Sequence, residues 1–118
     1  MDPNYHRTKS RKTYQLRQDL RISASFLVDL SLDAGRTIFA KIEDLSLNGV
    51  KLRLPVSLTS GASVILNFAD YKLTIKAVCR WSVPHDLTAG TYLAGVHFRE
   101  INNEQYAQLR QILFNLAG

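Results

Sequence analysis

Leu73-Thr74-Ile75-Lys76-Ala77-Val78-Cys79-Arg80-Trp81 is the longest clean alternation in the chain. Leu73, Ile75, Ala77, Cys79 and Trp81 recur every second residue, with Thr74, Lys76 and Arg80 among the residues between them. Successive side chains of an extended backbone point to opposite faces, so a period of two predicts a strand with one apolar face. Upstream, past a turn at Asp70-Tyr71, Val64, Leu66 and Phe68 repeat the pattern. Downstream, Pro84 to Gly90 reads as a loop and Leu93 to Phe98 as another strand.

The same period continues towards the N-terminus. Phe26, Val28, Leu30 and Leu32 predict a strand over roughly 22–32, followed by a turn at Asp33-Ala34-Gly35-Arg36. Ile38, Ala40 and Ile42 carry a strand to about Glu43, and Val50, Leu52 and Leu54 another that Pro55 stops. Ser57 to Gly61 is a connection. Six closely spaced strands argue for an antiparallel barrel or sandwich. The period then changes: Tyr106, Leu109, Ile112, Leu113 and Leu116 fall on one face of a helix over 103–116, with Asn102 or Asn103 as its cap. That apolar stripe predicts a helix laid over one mouth or side of the sheet.

A chain of 118 residues with 46% hydrophobic content suits one globular domain. No apolar run reaches the roughly 20 residues needed to span a bilayer, and no secretory signal is apparent. Cys79 lacks a partner for an internal disulfide, which fits a reducing compartment, and its place in a strand predicts a small buried hydrophobe. The net charge of +5 is uneven. Residues 1–21 hold six Lys/Arg against Asp2 and Asp19, whereas the remainder is close to neutral. Residues 1–16 read as a flexible basic arm and 17–118 as the folded domain. A basic arm attracts polyanions, whether nucleotide, nucleic acid or an acidic surface.

Asp44-Leu45-Ser46-Leu47-Asn48-Gly49 joins two predicted strands. Asn48-Gly49 predicts a type I′ hairpin turn, in which both residues take positive φ. Alternation places Asp44 and Ser46 on one outer face and the two leucines on the other. Ile42 and Ser46 would then share a face although only Ile42 suits the core, and a β-bulge near Glu43-Asp44 resolves the conflict.

Enzyme constellations are not found. His6, His85 and His97 lack zinc-ligand spacing, so no metal or cofactor is expected. Ser46 sits in no G-x-S-x-G elbow, and there is no P-loop or dinucleotide fingerprint. Glu43 and Asp44, being adjacent, should face opposite ways and make a poor acid/base pair. Arg17 and Arg21 carry more. Four residues apart, they share a face, and two guanidinium forks can grip phosphate or the O6/N7 edge of guanine. Asp44 can accept from purine N–H groups, Ser46 can donate or accept, and Gly49 allows close backbone approach.

Together, Arg17-Gln18-Asp19-Leu20-Arg21 and Asp44-Leu45-Ser46-Leu47-Asn48-Gly49 resemble the R-x-x-x-R and [DN]-x-S-x-x-G motifs of the PilZ domain, the bacterial cyclic di-GMP receptor module. Val78-Cys79-Arg80-Trp81, Gly95-Val96-His97-Phe98 and the closing helix support the resemblance, which spans about residues 17–116. It implies an all-β fold with a C-terminal helix, a six-stranded antiparallel PilZ-type β-barrel. It implies that Arg17 and Arg21 bind guanine and phosphate from the arm, that Asp44 and Ser46 hold a guanine edge, and that Asn48 and Gly49 shape the turn beneath. Trp81 packs at the edge of this site or in the core, and Arg11 and Lys12 can reach in. Leu16 stands where many relatives carry a further Arg, which favours one ligand per domain over an intercalated pair. The implied function is a non-catalytic, cytoplasmic bacterial receptor. Ligand would order the arm on the barrel, and a downstream protein or attached domain would read the change as motility, biofilm or exopolysaccharide output. A small basic barrel that binds nucleic acid, and a PilZ-like interaction domain without nucleotide binding, are the alternatives.

Overall fold

The computed structural model describes residues 21–32 and 35–117. Seven strands appear among them: β1 (Ile22–Ser23), β2 (Leu27–Ser31), β3 (Thr37–Leu45), β4 (Gly49–Leu54), β5 (Ser63–Phe68), β6 (Leu73–Asp86) and β7 (Thr91–Arg99). A 3₁₀ turn (Ala69–Tyr71) links β5 to β6, and the helix α1 (Asn103–Ala117) follows β7. All pairings are antiparallel, in the order β1-β3-β2-β5-β6-β7-β4, and β4 pairs back onto β3. Six strands therefore close into a barrel, as the alternation predicts, and β1 is the additional strand.

The inward-facing residues form one core. Leu30, Ile42, Leu45, Val50, Leu52, Leu66, Ile75 and Ala94 are completely shielded from solvent, and Cys79 is buried among them. Burial in this cluster is the main stabilising term of so small a domain. The apolar stripe of α1 buries Leu109, Ile112 and Leu113, and the helix packs against β1 and β6. Its N-terminus is capped reciprocally: Gln105 N donates to Asn102 Oδ1 at 2.8 Å, and Asn102 N donates to Gln105 Oε1 at 2.9 Å. Gln105 Nε2 also donates to the Thr74 carbonyl at 2.7 Å, which ties the helix start to β6.

Three sequence expectations need correction. The strand expected over 22–32 is two pieces, β1 and β2, on the same flank of β3. Ala24 N donates to Glu43 O at 3.0 Å and Ile42 N to Phe26 O at 2.9 Å across the break. The break lies opposite the bulge that β3 makes against β4 between Ile42 and Asp44, the irregularity expected there. Second, β6 runs through Pro84, which was expected in a loop. Strand β5 pairs with β6 only as far as Val78, so that edge of β6 is open at Pro84 and a missing N–H costs no ladder bond there. Third, Asn48-Gly49 is not a type I′ turn. Positive φ occurs at Gly35, Gly61, Lys72, Gly90 and Glu100, and neither Asn48 nor Gly49 is among them.

Candidate functional site

The site is built on the seam between β3 and β4. Register pairs Ile22 with Leu45 and Ser23 with Asp44, so the two-residue strand β1 carries the end of the basic arm onto β3. Arg21, immediately before β1, then meets Asp44: Nη1 lies 2.7 Å from Oδ1. Two motifs 23 residues apart in sequence thus touch through their last and first members. The Arg21 side chain is 53% exposed and that of Asp44 23%. An ion pair so open to solvent contributes only about 0–1 kcal/mol, which makes it easy to exchange for a ligand. Arg17, the other half of the arm motif, and Arg11, Lys12 and Leu16 lie outside the described residues.

The bulge decides what faces outward. Inward positions run Ala40, Ile42 and then Leu45, a step of three where regular alternation steps by two. Glu43 and Asp44 therefore both reach the outer surface, contrary to the expectation that they face opposite ways. They are kept apart by different partners. Glu43 Oε1 accepts from Arg53 Nη2 of β4 at 2.8 Å, while Asp44 takes Arg21. The Arg53 Nε is buried with no hydrogen-bond partner among the described residues, so this clamp carries an internal cost.

Ser46 departs most from its expected place. It is buried, with 3% of its surface exposed, and does not share the outer face of Asp44. The chain leaves β3 at Leu45, where the period of two ends. Ser46 Oγ accepts from the backbone N–H groups of Asn48 and Gly49, at 3.2 Å each, and lies 3.3 Å from the Gly49 carbonyl. Ser46 N donates to Gly49 O at 2.9 Å. The hydroxyl therefore builds the turn, the common use of Ser in such loops. Asn48 is exposed and its carbonyl accepts from Phe98 N at 2.9 Å. Gly49 is required by proximity to the barrel itself, because a Cβ there would stand 2.3 Å from the Val96 carbonyl oxygen.

Trp81 resolves onto the surface. A second bulge, between Cys79 and Trp81, breaks the alternation that would have buried it, and the side chain is 41% exposed. Its indole lies over Gly95, where a Cβ would come within 2.3 Å of Nε1. Register links it to the motif: Trp81 pairs with Gly95, Gly95 with Lys51, Lys51 with Asp44 and Asp44 with Ser23. These five residues form one row across the outer face. Asp44 and Trp81 stand about 14 Å apart along it, three strand spacings. The sequence reading missed Lys51 and gave Gly95 no place at the site; both fall in line only once the strands are in register.

A cavity of about 330 Å³ opens on the opposite flank, beside Ser31, Ile65, Lys76, Arg99 and Glu100, and holds none of the motif residues. Among the described residues, no cluster of His, Cys, Asp or Glu could hold a metal ion, and no helix is long and apolar enough to cross a membrane. Burial pushes the Cys79 thiol up, against a smaller opposing effect of its hydrogen bond to the Trp81 carbonyl.

The family model of the PilZ domain matches residues 15–115. The chain belongs to the PilZ family. No curated protein sequence matches it. Among solved structures, the PilZ domain of YcgR from Escherichia coli, determined with c-di-GMP, superposes with a TM-score of 0.67 at 21% identity, over 83% of this chain and 88% of that one. K. pneumonia MrkH in its apo state matches with a TM-score of 0.65 at 21% identity, over 83% of this chain and 49% of MrkH. The PilZ domain of CeSA from a cellulose-synthesizing bacterium matches with a TM-score of 0.61 at 19% identity, over 83% of this chain and 98% of that one. At these identities the likeness shows the shared PilZ barrel.

Proposed function

We propose that this PilZ domain is a non-catalytic receptor for cyclic di-GMP in the bacterial cytoplasm, with the ligand held between the basic arm and the outer face of the β3–β4 seam. The observation that carries the reading is the 2.7 Å contact between Arg21 and Asp44, which joins the arm motif to the barrel motif. A guanine edge meets both chemistries there: its N–H donors suit the Asp44 carboxylate, and its O6/N7 edge or a neighbouring phosphate suits the Arg21 fork. Because the existing pair is weak, the ligand can replace it with two stronger charge-assisted contacts.

Arg17 supplies the second fork from the arm, and Arg11 and Lys12 add positive charge behind it. Ser46, Asn48 and Gly49 act by fixing the turn from which Asp44 projects. Trp81, at the far end of the row, offers an exposed ring for the second base. Binding orders the arm on the barrel, and a partner protein or attached domain reads the new surface, with motility, biofilm or exopolysaccharide synthesis as the output. With Leu16 beside Arg17, the site takes one ligand per domain.

Calorimetric titration with cyclic di-GMP tests this reading. The expected result is one ligand per chain, bound at micromolar or tighter affinity. Arg21→Ala and Asp44→Ala each weaken binding by about 10- to 100-fold, the worth of a charge-assisted hydrogen bond. Unchanged binding by both variants would overturn the site.

A further inference from the structure

The middle of the Asp44–Trp81 row holds one charged side chain, Lys51, and we propose that it is a phosphate-binding residue of the ligand site. The inference rests on the cyclic di-GMP reading and adds to it a cation supplied by the barrel rather than by the arm.

Three observations carry it. Lys51 lies directly across from Asp44 on the neighbouring strand, on the same outer face. Cross-strand partners of this kind hold their Cβ atoms about 5 Å apart. Yet Lys51 makes no salt bridge among the described residues, because the facing carboxylate is taken by Arg21. Second, the positions that neighbour it on the outer face are both glycine. Its neighbour two positions back on β4 is Gly49, and its cross-strand partner on β7 is Gly95, so neither position adds a side chain of its own, although the Val96 carbonyl and the Trp81 indole fill the places where their Cβ atoms would lie. The Trp81 indole, leaning over Gly95, closes the far side.

Third, without it the barrel's own side of the row offers the dianion a carboxylate, Asp44, and no cation. The ligand carries two phosphodiester groups between two purines. The other cations assigned to the ligand, Arg21 included, belong to the arm, whereas Lys51 is held by the barrel next to Asp44. A ligand with one purine at Asp44 that runs along the row towards Trp81 passes Lys51 first, one strand spacing of about 5 Å away, which brings a phosphate within reach of the ammonium. An ammonium reaching a phosphate makes a charge-assisted contact without the planar fit that a guanidinium demands.

The test compares Lys51→Gln, Lys51→Arg and Lys51→Glu with the unaltered chain by calorimetric titration with cyclic di-GMP at low and high salt. Thermal unfolding is followed in parallel. Lys51→Gln is expected to lose about tenfold in affinity at low salt with Tm unchanged, and its affinity to fall less steeply with added salt. Lys51→Arg stays within about threefold of the parent, and Lys51→Glu loses more than Lys51→Gln. A Lys51→Gln protein that binds like the parent, while Arg21→Ala does not, would overturn the role of Lys51 and leave the receptor reading intact. Failure of the unaltered chain to bind cyclic di-GMP overturns both.

Discussion

Two β-bulges stand at opposite ends of one cross-strand row, and they are held in different ways. The bulge in β3, at Glu43, turns Asp44 outward; the bulge in β6, at Arg80, turns Trp81 outward. Each shifts the side-chain alternation by one residue and so moves a residue from the inner face to the surface. The first is pinned by an ion pair across strands, Arg53 to Glu43 at 2.8 Å. The second is pinned by the segment that runs along its open edge. Ser60 Oγ donates to Arg80 O at 3.1 Å, Cys79 N donates to Ala62 O at 2.8 Å, and Leu58 N donates to Ser82 Oγ at 3.1 Å. The difference teaches that the Asp44 end adds a charged cross-strand pair to backbone bonds such as Ala24 N to Glu43 O, whereas the Trp81 end is held by backbone and hydroxyl bonds.

The largest expected effect breaks the Asp44 end at its turn. In Gly49→Ala the new methyl meets a backbone carbonyl oxygen, that of Val96, which cannot rotate away. Strands β4 and β7 must separate locally, at a cost of about 2–3 kcal/mol, or roughly 10–20 °C in Tm. Thermal unfolding monitored by circular dichroism checks it, and a shift of only a degree or two would mean that the β4–β7 contact is looser than described.

A smaller effect sharpens the contrast between the two pins. Arg53→Met removes the cation that holds Glu43 and leaves two adjacent carboxylates at the bulge. Stability should fall by about 1–2 kcal/mol, and Asp44 should lose part of its preference for the outward position. Adding Glu43→Gln to Arg53→Met removes the stranded charge, so the double variant should recover much of the loss. The coupling energy from the four unfolding curves measures the pair directly. Simple additivity would show that the bulge holds without the ion pair.

These two ends also explain how far the sequence could be read. Barrel and helix were legible because their periods are long and clean, as in Leu73–Cys79 and Tyr106–Leu116. The β3 bulge is legible because Ile42 and Asp44, two residues apart, demand opposite faces; the conflict between Ile42 and Ser46 pointed to the same place although Ser46 is itself buried. The β6 bulge was not, because Trp81 suits either face and continuing the alternation from Cys79 raises no conflict. Ser46 was misplaced for a related reason: a hydroxyl that bonds its own turn looks, in sequence, like one facing solvent. Lys51 was passed over because its importance lies in register with Asp44 and Gly95, and register between strands far apart in sequence is set by closure of the barrel. The first bulge announced itself through chemistry, the second only through geometry.

Gly95→Ala probes the second end and should have the smallest effect on stability. Its new methyl meets the Trp81 indole, a side-chain ring that is 41% exposed, where Gly49→Ala meets backbone. The ring can swing towards solvent at a cost of about 1 kcal/mol or less, because little of its contact area is core. What changes instead is position. Trp81 is the one tryptophan in the chain, so its emission reports on this ring alone. Gly95→Ala should shift that emission to the red by exposing the indole, while Tm moves by only a few degrees. If Trp81 stacks on the second base as proposed, the displaced ring will also weaken cyclic di-GMP binding by several-fold, less than Asp44→Ala does. A red shift with unchanged affinity would place Trp81 outside the ligand site and leave the first bulge as the only one that shapes it.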